Sequence, residues 1–137
     1  MKIEIAQLNL CFAWLWILLG FVSGLILGLF FHNENWLGSY GSFKRRMYRL
    51  AHISFFGLGT VNLLFWLTCQ RIFPPESFTA TASWAFILGG VTMPLCCVIM
   101  AHWPKAHLIF GLPVLCLITG GVLTLSLVCH SQSPFHL

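Results

Sequence analysis

The chain has 137 residues, 58% of them hydrophobic and only 7% charged, with a mean hydropathy of +0.88 and a net charge of +4. Soluble domains carry about a quarter charged residues, so a water-covered globule is excluded and most of the surface must face lipid. The few basic residues border apolar segments instead of forming a patch, which speaks against nucleic acid as a partner.

At this length the chain reads as one domain, residues 1–137. A short polar lead with Lys2 and Glu4 precedes an uncharged apolar run from about Leu8 to Phe31. That run exceeds the roughly 20 residues needed to cross a bilayer. It also lacks the small-residue cleavage site of a signal peptide, so it reads as a retained first transmembrane helix. Gly20, Gly24 and Gly28 repeat every four residues within it, a smooth stripe where another helix backbone can approach.

Residues 32–46 form the longest connection, with Gly38, Ser39, Gly41 and Ser42 as turn formers. A second helix is expected over 47–69. The stretch around its start places Arg45, Tyr48, His52, Phe55, Phe56, Gly59 and Leu63 on one face at helical periodicity. Asn62 is the main polar residue at mid-membrane and calls for a hydrogen bond to a neighbouring helix. Pro74 and Pro75 break the next loop; a third helix is expected over 80–101, with Pro94 as a kink. The segment 102–106 returns the chain to a fourth helix over 107–129, which holds Pro113 and the pair Gly120 and Gly121.

The expected architecture is an all-α integral membrane protein, a four-transmembrane-helix up-down bundle. Lys44, Arg45, Arg46, Arg49 and Lys105 stand on the side of the first and third loops, against Lys2 and Arg71 on the other. The positive-inside rule therefore puts loops 32–46 and 102–106 in the cytoplasm and both termini outside, in a bacterial inner membrane or with the matrix side of a mitochondrial one in the same place. Trp36, Tyr40, Tyr48 and Trp103 on that side, and Trp14, Trp16 and Trp84 towards the other, fit two aromatic belts.

This topology gathers His32, His52, His102 and His107 at one end of four different helices. Imidazole is the commonest metal ligand and an axial ligand of haem, and a bundle can hold a cofactor between facing histidines. His52 lies deepest, with its ring expected near the third or fourth helix and His102 or His107 as its partner in a b-type haem site. The alternative is that all four are interfacial polar groups bonded to carbonyls or headgroups. In architecture alone, the plan resembles four-helix membrane cytochromes.

Met93, Cys97 and Met100 share one face of the third helix, with Cys96 alongside and His102 beyond. Thioether and thiolate groups select Cu(I), so the set is either a copper site or ordinary packing. Of the six cysteines, Cys11, Cys69 and Cys129 approach the outer side, where a disulfide would form only if their Cα geometry allows it.

No carboxylate lies within an apolar run, so an ion-coupled transporter of the usual kind lacks its parts. There is no phosphate-binding glycine loop, HExxH or GxSxG, and no loop long enough for a soluble active site. A stand-alone enzyme is disfavoured. The resulting expectation is a small integral subunit or accessory protein of a larger, energy-converting (electron-transfer) membrane complex, with lipid and other membrane subunits as partners. The alternatives are a b-type haem electron-transfer protein and a copper-handling membrane protein.

Overall fold

A computed structural model describes residues 5–131 as four α-helices and one short 3₁₀ segment. They are α1 (Ile5–Phe30), α2 (Phe43–Ile72), α3 (Glu76–His102) and α4 (Gly111–Ser131), with the 3₁₀ turn over Pro104–Phe110. All four helical segments are long and apolar enough to cross a membrane. The chain is a four-helix membrane bundle in up-down order.

Each boundary departs from the periodic reading for a local reason. Helix α2 starts at Phe43, not 47, because Ser42 caps it: its hydroxyl accepts from Arg45 N–H at 3.2 Å. The basic residues expected in the first loop therefore belong to the helix. Helix α3 starts at Glu76, directly after Pro75, with an acidic group in the first turn where the helix dipole favours it.

The fourth helix is the largest correction. An α-helix from 107 would need residue 113 to donate to the carbonyl of 109, and Pro113 has no N–H. The chain instead runs as 3₁₀ turn to Phe110 and restarts at Gly111, which places Pro113 in the first turn. First-turn N–H groups have no intrahelical partner, so proline costs little there.

Neighbouring helices pack antiparallel, and α3 touches all three others. Among the described residues, α1 and α4 make no contact, so α4 rides on α3 and only brushes α2. The α1–α2 seam is a ladder of small residues receiving rings. A Cβ on Gly24 would lie 2.8 Å from Cε1 of His52, and one on Gly20 would lie 2.9 Å from the ring of Phe56. Gly28 faces open space. The glycine stripe thus admits side chains of α2, not its backbone, and only over two of its three members. Backbone approach occurs one step further on, where a Cβ on Gly59 would sit 3.1 Å from the carbonyl oxygen of Ala13.

Trp16 is not a belt residue. It lies midway along α1, stacks on Phe12 with centroids 3.9 Å apart, and reaches α3. Towards the turn between α2 and α3, the core is Ala6, Phe65, Cys69, Ala82 and Phe86. In lipid there is little hydrophobic drive between helices, so this packing and the polar ties below hold the bundle.

Candidate functional site

Two buried polar clusters mark the bundle, one in the half nearer the α2–α3 turn and one at the end holding the first and third loops. The first joins three helices. Asn9 of α1 donates from Nδ2 to Oδ1 of Asn62 on α2 at 2.8 Å, and its own Oδ1 accepts from the hydroxyl of Ser83 on α3. Asn62 donates in turn to Leu58 O at 2.8 Å. All three residues are completely buried and all their side-chain polar atoms are paired. A closed neutral network of this kind fixes which helix faces meet.

The second cluster lies where the sequence placed the four histidines, and it is arranged differently from the expectation. His52, on α2, is tied to α1: its Nδ1 lies 2.9 Å from Oγ of Ser23, which donates to Gly20 O at 3.0 Å. With the hydroxyl proton given to Gly20, Nδ1 is the donor, and in a neutral ring the lone pair rests on Nε2. The ring packs against Gly24 and meets Phe56 edge-on. The expectation that it reaches α3 or α4 is therefore corrected. The reason is Gly24: the absent side chain opens a socket on α1 into which the imidazole fits.

It is Tyr48, one turn earlier, that reaches α3, with its hydroxyl 3.0 Å from Nε2 of His102. His102, His107 and His32 are all exposed, His107 in the 3₁₀ turn and His32 just past the end of α1. On α3, Cys97 is fully buried while Met93 and Met100 are partly so. Among the described residues, no three His, Cys, Asp or Glu side chains converge to hold a metal ion. All six cysteines, Cys11, Cys69 and Cys129 included, are free thiols.

Arg45, at the end expected to lie among the headgroups, is only 1% exposed. Its Nη2 donates to Phe31 O, a carbonyl at the end of α1, where a cation suits the helix dipole. The guanidinium carbon lies 4.8 Å from the ring centroid of Phe31 and 4.9 Å from that of Tyr40, and these two rings, edge to face at 5.5 Å, form a corner on one side of it. Among the described residues, Nε and Nη1 have no hydrogen-bond partner.

No protein-family model, curated protein or solved structure matches this chain. Its function must be read from the residues themselves.

Three ties escaped the sequence reading. Asn9 and Ser83 lay inside apolar runs and drew no notice, although Asn9, Ala13, Trp16, Gly20 and Ser23 share a helical stripe that marks the packed face of α1. Proline supplies a second signal. Pro94 leaves Gly90 O without its helical donor, and the indole N–H of Trp16 fills the place at 3.1 Å. Near Pro113 the thiol of Cys96 donates to Ile109 O at 3.4 Å, a carbonyl the Gly111 N–H also reaches. Pro94 thus creates an acceptor four residues upstream, and a neighbouring helix uses it.

Proposed function

We propose that the chain is a small integral subunit or accessory protein of a larger membrane complex, with a helix-packing role. One observation supports this most: Asn9, Asn62 and Ser83 are used up in ties between the chain's own helices, while α4 is held on one side and presents its apolar face outward. Leu112, Leu115, Ile118, Val122 and Leu125 of α4 are each more than half exposed. Trp14, Leu18, Phe21 and Leu25 of α1 are exposed to a similar degree on the opposite flank. Such flanks suit lipid or the helices of other subunits.

The complex we have in view is an energy-converting one, with the chain in a bacterial inner membrane, the first and third loops cytoplasmic and both termini outside. Extraction from native membranes in a mild detergent tests the subunit reading. The expected result is a stoichiometric assembly well above 15.4 kDa; a lone monomer overturns it. A reduced-minus-oxidised absorption spectrum and metal analysis of the same preparation read the haem b and copper alternatives. A C-terminal alkaline phosphatase fusion tests the orientation: it is expected to be active, and inactivity reverses the assignment.

A further inference from the structure

The first two turns of α2 concentrate positive charge. Lys44, Arg45, Arg46 and Arg49 stand there, and the first turn holds no acidic residue. A helix N-terminus already carries a partial positive charge, so cations placed on it are unfavourable without an anion nearby. Arg45 and Arg49 are four residues apart on one face, where like charges repel. Among the described residues no carboxylate pairs with any of the four.

The guanidinium of Arg45 makes the deficit specific. Phe31 and Tyr40 form a corner against one side of it and Nη2 is bonded, but the donors on Nε and Nη1 are buried and have no partner among the described residues. A buried cation that lacks partners for its donors is costly to retain. The tie to Phe31 O explains one nitrogen of three and leaves the other two unexplained.

Tyr40 connects the two arginines. Its ring lies 4.9 Å from the guanidinium carbon of Arg45 and 5.3 Å from that of Arg49. Its contacts are ring contacts alone; its hydroxyl makes no hydrogen bond among the described residues, and it is 57% exposed. The same ring lies against both guanidinium groups at once. The depth is also right: a helix of 30 residues is about 45 Å long against a hydrocarbon core of ~30 Å, which leaves the first turns of α2 among the headgroups.

We propose that Arg45 and Arg49, flanked by Lys44 and Arg46 and covered by Tyr40, bind a phosphate group, that of an anionic phospholipid headgroup. The planar donor fork of arginine matches phosphate oxygens, and the anion supplies both the missing partners of Arg45 and the charge that α2 lacks at its start. The same chemistry would accept free phosphate, so the test separates the two sources.

The full-length protein in neutral detergent is titrated with phosphatidylglycerol, with phosphatidylcholine of the same acyl chains, and with sodium phosphate at matched ionic strength; bound lipid is counted by native mass spectrometry. Phosphatidylglycerol is expected to bind roughly tenfold more tightly than phosphatidylcholine, and Arg49→Gln to weaken it roughly fivefold. Arg45→Gln is expected to do the same or more; because it also breaks the tie to Phe31, Arg49→Gln is the variant that decides if Arg45→Gln fails to fold. Lys105→Gln, at the same end but in the third loop, is expected to change little, and Tyr40→Ala to leave binding intact or tighten it. Equal affinity for the two lipids overturns the site. Equal losses in Arg49→Gln and Lys105→Gln reduce it to diffuse surface charge, and loss in Tyr40→Ala overturns the ring's role as a cover. Saturable binding of inorganic phosphate without a preference for phosphatidylglycerol assigns the site to a soluble anion and overturns the lipid.

Discussion

The two polar clusters of this bundle differ in how they use their donors. In the half nearer the α2–α3 turn, Asn9, Asn62 and Ser83 pair every side-chain polar atom across three helices. At the end holding the first and third loops, His52 is tied to a single neighbour and Arg45 leaves two nitrogens unused. Amides and hydroxyls are neutral and carry few donors, so a small set can close on itself inside lipid. A guanidinium has five N–H groups and a charge, and the described residues offer it one carbonyl and two ring faces. The complete cluster is a clamp. The incomplete one still has chemistry to satisfy.

The largest expected effect lies on the α1–α2 seam that joins the clusters. Gly24→Leu would drive a side chain into the imidazole of His52, whereas Gly28→Leu meets nothing within 4 Å. Unfolding in mixed micelles is expected to show a loss of about 1–3 kcal/mol or more for the first and almost none for the second. Equal effects would mean that the two glycines face the same surroundings, against the ladder described above.

Breaking the closed cluster comes next. Asn9→Leu removes the hub and leaves Asn62 Oδ1 and the Ser83 hydroxyl unpaired, for a loss of about 1–3 kcal/mol. If the variant unfolds like the native protein, the network contributes nothing and the comparison fails on its firm side.

A double-mutant cycle sharpens the role of proline. Trp16→Phe is expected to cost about 1 kcal/mol by depriving Gly90 O of its donor. In a Pro94→Ala background the restored backbone N–H can serve that carbonyl, so the same change should cost only a few tenths of a kcal/mol. An undiminished cost would mean that the indole contributes through packing on Phe12 instead.

The smallest effect is expected at His52. His52→Gln keeps a donor for Ser23, and its loss should be near or below the ~0.6 kcal/mol of an average membrane hydrogen bond, with His52→Ala more damaging through the emptied Gly24 socket. A glutamine variant as damaging as alanine would show that the imidazole does more than hold α1.

Composition and hydropathy by themselves determined the membrane class, the number of helices and their up-down order, because a chain with so few charges has only lipid to face and its short turns force neighbours antiparallel. Asn62 also announced its need for a partner on another helix. The partner's identity was out of reach: Asn9 and Ser83 are single polar residues in apolar runs, and whether such a residue faces lipid or a neighbour depends on helix rotation, which packing sets. The direction of the His52 ring is not legible locally, since the socket that receives it is made by an absence, Gly24, some 28 residues away in sequence on another helix. The burial of Arg45 was decided by tertiary structure alone. Local sequence put it in the first turn of a capped helix, but only the antiparallel return of α2 along α1 brings the carbonyl and ring of Phe31 up to its guanidinium, and a charge is hidden or exposed by what the rest of the chain lays over it.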